Sequence, residues 1–169
     1  MSKQVDEKFI IPLVIPESGW EKIDLNSYSG SERSFLTAGS DSKKRLRLAF
    51  FKHRVNNHLV GKVWFGPYSE GPPNYVHGGC SSSVLDQAMG ISIFFTGKIA
   101  LTSKISVEFL EPIPVGTDCS IDAWVARRAH NVIYCKALLR DQKNHTFVNA
   151  SGTFIELSDE QIRTIKKSF

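Results

Sequence analysis

Cysteine is scarce. Cys80, Cys119 and Cys135 are the only three in 169 residues, they lie far apart, and no CxxC occurs. An odd number without that spacing argues against a disulfide framework or a structural zinc site. The five histidines lack metal spacing too. His53 and His58 are five apart in a basic stretch and do not read as a ligand pair. Long hydrophobic runs are missing: none approaches the roughly 20 residues of a membrane helix, so no membrane insertion is expected. Asp6 and Glu7 precede an apolar stretch, Phe9–Ile15, that Pro12 breaks and Pro16 closes, which is not a signal-peptide pattern. The expectation is a reduced, cytoplasmic protein. GxGxxG, GxxxxGKS/T and GxSxG are all absent, leaving dinucleotide binding, P-loop chemistry and a nucleophile elbow without support.

What is present is an ordinary globular composition: 41% hydrophobic, 11% aromatic and 22% charged. That excludes disorder, collagen and coiled coil. A domain of this length buries roughly 70% of the surface of its unfolded chain, enough to fold without staples. The net charge of +4 is too small to argue for nucleic acid, and an anionic small molecule fits its sign equally well. Lys43, Lys44, Arg45, Arg47, Lys52 and Arg54 fall within twelve residues that hold no acid. A solvated strand edge explains them best, because edge lysines discourage sheet-to-sheet pairing. A docking face for phosphates is the functional alternative.

Residues 1–44 read as an N-terminal arm and a Ser/Gly-rich connection, and residues 45–169 as one domain. From Arg45 the texture is β: Leu46, Leu48 and Phe50 alternate with Arg45, Arg47 and Ala49, and Val60–Phe65 follows an Asn56-Asn57 turn signal. Gly66 to Val76 is too rich in proline and glycine for a regular element. Gly79 to about Phe95 is the one long helix candidate, apolar around most of its circumference and therefore wrapped by other structure. Gly79, Ser82, Ser83, Asp86 and Gly90 form its one small, polar strip. Four strand-length segments follow, Leu101–Glu111, Thr117–Arg128, Asn131–Asp141 and Thr146–Leu157. In the first, Thr102, Lys104, Ser106 and Glu108 alternate as the polar side. Ser158 and Gln161 have capping-box spacing at the start of a short final helix. The order β-β-α-β-β-β-β predicts an α+β fold, one antiparallel sheet curling around one helix.

The chemistry-bearing segment is Gly71-Pro72-Pro73-Asn74-Tyr75-Val76-His77-Gly78-Gly79, followed by Cys80 and, inside the helix, Asp86. Two glycines at a helix start leave its N–H groups uncovered, and that end suits an oxyanion. A carboxylate in the middle of an apolar helix is costly unless it faces a partner or a cleft, and burial would make it a stronger base. Cys80 at the helix start reads as a packing residue; a cysteine nucleophile is the alternative. Trp64, Trp124 and the phenylalanines read as core and as the lining of an apolar tunnel.

His-Gly-Gly with an acid nine residues after the His resembles the hotdog-fold acyl-CoA thioesterases, of the phenylacetate-degradation and thioesterase-superfamily type. Glu70-Gly71-Pro72-Pro73 before it, and Leu101-Thr102 ahead of Glu111-Pro112-Ile113-Pro114, are most similar to the branch that includes the carboxyl-terminal modulator protein. The resemblance covers roughly residues 45–157. It implies a hotdog fold and hydrolysis of acyl-CoA, with a fatty acyl group expected and no metal or organic cofactor, coenzyme A being part of the substrate. It implies that the Gly79 N–H polarises the thioester carbonyl, that Asp86 is general base or nucleophile, and that Thr102 holds the attacking water. Substrate contacts fall to Asn74, His77, Gly78 and Lys104. A non-catalytic acyl-CoA sensor remains open. A hotdog dehydratase is disfavoured, because the helix offers an Asp and no His.

Helix geometry adds an expectation about assembly. Gly79 and Asp86 are roughly 10 Å apart along the axis at 1.5 Å per residue, too far to act on one carbonyl within a chain. Two antiparallel helices about a two-fold axis would bring Gly79 of one chain opposite Asp86 and Thr102 of the other. The expected unit is therefore a homodimer with shared active sites, or a dimer of such dimers.

Overall fold

The computed structural model describes residues 14–23, 36 and 42–167. The Phe9–Pro12 stretch and most of the Ser/Gly-rich connection lie outside the described residues. In chain order the elements are β1 (Trp20–Lys22), α1 (Ser42–Arg45), β2 (Leu46–His53), β3 (Leu59–Phe65), a 3-10 turn (Pro67–Ser69), α2 (Gly78–Phe94), β4 (Ala100–Phe109), β5 (Asp118–Ala129), β6 (Val132–Arg140), β7 (Thr146–Glu156) and α3 (Asp159–Lys167). The seven strands form one antiparallel sheet in the order β1-β2-β3-β5-β6-β7-β4.

This is the α+β hotdog arrangement that the sequence predicts, with two additions. Residues 20–22, read as part of the arm, join the sheet as edge strand β1 opposite Phe51–His53. They pair only with that end of β2, and no strand among the described residues pairs the outer edge of its Leu46–Phe50 half. A short helix, α1, stands where the connection was expected.

α2 lies on one face of the sheet, with Val84, Leu85, Ala88, Met89, Ile91 and Ile93 fully buried. They pack with the inward side chains of the strands, among them Val63, Cys119, Ile121, Ile133, Leu139 and Phe154. Burial of side chains this large, at roughly 1.5–3 kcal/mol each, is what holds the helix in the curl of the sheet. Ser82, Ser83, Asp86 and Gly90 are half-buried and Gly79 is exposed, so the small strip is the side the sheet leaves uncovered. The Ser82 and Ser83 hydroxyls donate to the Gly78 and Gly79 carbonyls at 2.8 Å, lying back along their own helix. α2 ends before Gly97, whose φ of 74° stops the helix.

The hairpin turns fall where the sequence placed them, with Asn57, His130 and Asn144 at φ 58°, 55° and 65°. At the start of α3, Gln161 Oε1 accepts the Ser158 N–H and Ser158 Oγ accepts that of Gln161, completing the capping box. His53 and His58 have separate partners. The Val55 N–H points to His53 Nδ1, while His58 bonds Asp122, and no metal-holding cluster occurs among the described residues.

Candidate active site

The loop before α2 is held by the second block of the resemblance. The Val76 N–H donates to Ile113 O and the Val115 N–H to Asn74 O, both at 2.9 Å, and Tyr75 bridges Pro114. Residues 70–76 and 111–115, distant in sequence, thus form one platform. Asn74 serves it through its backbone. At φ 69° it makes a left-handed turn, and its N–H goes to the Glu70 carboxylate. Gly71 is required by the fit: a Cβ there would lie 2.9 Å from the His77 Cα. The His77 N–H donates to Ser69 O at 2.8 Å, which ties the His to the buried end of the 3-10 turn.

His77 is the N-cap of α2. Its Nδ1 accepts the Gly79 N–H at 2.9 Å, doing the work of the usual Ser or Asp. This changes the expected assignment. The Gly79 N–H is engaged by the chain's own imidazole, whereas the Gly78 N–H has no partner among the described residues. Gly78 is also where the Phe109 ring comes closest, and a Cβ there would lie 3.1 Å from it. An N-cap role for His77 could have been read from its place directly before the helix. Phe109 carried no sequence signal beyond its alternation in β4.

Asp86 projects from the uncovered strip of α2, and Thr102 Oγ1 donates to its Oδ1 at 2.9 Å. A bulge makes this contact. Thr102 pairs Phe154 and Lys104 pairs Thr153, so Ser103 is the extra residue that shifts the register. Phe154 faces the core, hence Thr102 faces α2 while Lys104, Ser106 and Glu108 point to the opposite face. The structure thereby corrects the single alternating polar side expected for β4. It brings Asp86 and Thr102 together and leaves Lys104, exposed, on the far side of the sheet. The dry setting expected for Asp86 is not met in the single chain either. Asp86 is half-buried and Thr102 exposed, because β4 is an edge strand that no described element covers.

The remaining candidates are quickly placed. Burial raises the Cys80 thiol above its ordinary pKa, with Arg45 pulling weakly the other way. That favours packing over the nucleophile alternative. Trp64 is buried as expected. Trp124 is not tunnel lining: it lies on the outer face, stacked on His58 with centroids 5.1 Å apart.

Along α2, Gly78 and Asp86 are eight residues apart, roughly 12 Å at 1.5 Å per residue. Within one chain the free N–H and the carboxylate cannot meet on one small group.

Residues 73–148 match the thioesterase superfamily. Acyl-coenzyme A thioesterase THEM4 of Xenopus laevis is 29% identical over 110 residues, 63% of this chain and 49% of that protein. The chain thus spans about half the length of that relative. The Escherichia coli PaaI protein of the phenylacetic acid degradation operon superposes with a TM-score of 0.62 at 16% identity, over 79% of this chain and 91% of that one. A hypothetical thioesterase of Streptococcus pneumoniae with coenzyme A gives 0.62 at 17% identity, over 66% and 90%. Together with the wrapped helix and the curved sheet, these likenesses show the hotdog fold, and residues 73–148 are similar to the thioesterase superfamily.

Proposed function

We propose that the chain hydrolyses acyl-CoA thioesters to free acid and coenzyme A, in sites that two copies share. The observation that carries this is the Thr102–Asp86 pair at the open side of a helix whose first N–H group is free. The similarity to acyl-coenzyme A thioesterase THEM4 supports the same substrate class.

The Gly78 N–H, at the positive end of α2, donates to the thioester oxygen as negative charge develops there. Asp86 of the other protomer either takes a proton from water or attacks the carbonyl itself. Thr102 donates its proton to the carboxylate, so its oxygen keeps lone pairs with which to accept a water proton and aim that water. His77, fixed through Nδ1, holds the helix start in place. The chemistry uses only these groups and needs no resident metal or cofactor. Three free thiols, none paired in the structure, suit a reducing compartment such as the cytoplasm.

The second copy has a surface to occupy. Among the described residues β4 pairs with β7 on one side only, and its other edge lies beside the small strip of α2, where Thr102 meets Asp86. Leu101 and Phe109 on β4 and Leu110 beyond it are 56%, 54% and 46% exposed. An exposed edge with this much apolar surface favours pairing with another chain. Antiparallel pairing of two β4 strands about a two-fold axis would bring the α2 helices together, Gly78 of one toward Asp86 of the other. Phe109, which pairs the buried Val148 and so lies on the α2 side of β4, would then flank the acyl group, which supports a fatty acyl substrate.

The test is free-thiol release from a panel of palmitoyl-, octanoyl- and phenylacetyl-CoA. Turnover well above the buffer rate, abolished by Asp86→Asn, is expected. Tight binding of the panel with no turnover would replace this reading by that of an acyl-CoA sensor.

A further inference from the structure

The sheet face turned away from α2 carries a basic groove that thioester hydrolysis at Asp86 does not use. Arg127 pairs Tyr134, Tyr134 pairs Thr153 and Thr153 pairs Lys104, so one row crosses β5, β6, β7 and β4. The neighbouring row is Trp124, Lys136, Ser151 and Ser106. Paired residues of an antiparallel sheet share a face. The cations therefore frame one area, with Arg127 and Lys104 three strand spacings, about 14 Å, apart and Lys136 about 7 Å along β6 from Tyr134.

Glu108 is the acid on this face and lines the larger hollow, but it forms no ion pair with Arg127, Lys104 or Lys136 among the described residues. Lys62 pairs with Glu17, Arg140 with Asp122, and Lys98 and Arg128 with Glu156. Lys104 and Lys136 have no carboxylate partner among the described residues. Arg127 lies over the Tyr134 ring, its guanidinium carbon 4.2 Å from the centroid. That contact orients the guanidinium and leaves its charge in place. Between Arg127 and Lys136 the surface sinks into a hollow of ≈ 330 Å³ that presents the Ser151 and Thr153 hydroxyls, with Lys104 beyond its rim in the Thr153 row. Lys136 and Ser151 are shared with a second hollow of ≈ 650 Å³, where Trp124 and Leu138 add apolar surface. Both volumes lie in the range of small-molecule sites.

We propose that this outer groove binds a nucleotide through its phosphates. One phosphate cannot span cations 7–14 Å apart, whereas two phosphates on one ribose can meet the lysines and the arginine together. The hydroxyls between the cations donate to the remaining phosphate oxygens, and the Trp124 side supplies apolar contact for sugar and base. The nucleotide end of a coenzyme A thioester and a separate nucleotide both have this chemistry.

Calorimetric titration of the full chain with adenosine 3′,5′-bisphosphate tests the proposal without reference to turnover. Saturable binding is expected, weakened by salt and reduced about tenfold or more in Arg127→Gln/Lys136→Gln. Absence of saturable binding, equal affinity for inorganic phosphate, or an equal loss in the distant Lys22→Gln variant would each overturn it. Kinetics then separate the two sources. A KM raised for acyl-CoA but not for the acyl thioester of N-acetylcysteamine identifies the nucleotide as that of the substrate. A KM unchanged for both identifies a separate nucleotide. A KM raised for both would mean that the variants disturb the reacting centre, and would overturn the proposal.

Discussion

Gly78→Pro removes one N–H group and little else. His77, the residue before it, already has φ −62° and ψ 130°, inside the extended region that a following proline demands. Gly78 occupies the first helical position, where proline is well tolerated because that N–H has no helical partner. No hydrogen bond is lost, and the stiffer unfolded chain offsets part of any strain. The new ring atoms meet only the tip of the Phe109 side chain, at about the 3.1 Å found for a Cβ, and a shift of a few tenths of an ångström relieves that contact. Stability should therefore change by no more than about 1 kcal/mol. Turnover should fall on the order of 10²–10³-fold, about 3–4 kcal/mol, the cost of one oxyanion donor. Gly78→Ala is the control. It adds the same contact and keeps the N–H, so it should retain kcat within a few-fold. The assay is steady-state thiol release with the best substrate of the panel, beside thermal melting of each variant. A folded Gly78→Pro protein with near-normal kcat would refute the assignment of the donor.

Asp86→Asn should cost on the order of 10²–10⁴-fold in kcat, and Thr102→Val about 10–100-fold through loss of a hydrogen bond to a charged group; full activity in either folded variant removes that residue from the mechanism. Burial pushes the Cys119 thiol up to about 12 and that of Cys135 to about 11. Iodoacetamide at pH 8 should label both only on unfolding, and Cys80→Ser should stay within a few-fold of wild-type turnover. A hydrogen bond from Lys98, with Arg128 beside it, holds the Glu156 pKa below its ordinary value. A carboxylate lowered in the folded state stabilises above its unfolded pKa, and the contribution is lost as pH falls through the folded value. Glu156→Gln should thus flatten the acid limb of the melting temperature below about pH 4.5, and an unchanged limb would show that the network contributes nothing.

Local patterns were the legible part of the sequence. The wrapped character of α2, its polar strip and the capping box at Ser158 follow from spacings within one or two turns, and each appears in the structure. Long-range consequences were hidden. Nothing in Leu101–Phe109 marks Ser103 as a bulge, because the extra residue is defined only by pairing with β7; without it Thr102 would point with Lys104, away from Asp86. His77 could be seen beside the glycines, but which N–H its ring would take depends on a side-chain rotation that sequence spacing does not specify. Trp124 looked like core, since an aromatic on an alternating strand does not say which face the sheet buries. β1 has only three residues, too few to show a period.

Subunit complementation puts the central claim, that one site is built from two chains, to its most direct test. Gly78→Pro and Asp86→Asn homodimers should each be nearly inactive. After verified exchange at equal concentrations half of the dimers are mixed, and each mixed dimer holds one intact site made of Gly78 from one chain and Asp86 from the other. Activity should return to about a quarter of the wild-type value. No recovery after exchange would contradict the account, because a site contained within one chain is broken in every dimer of the mixture.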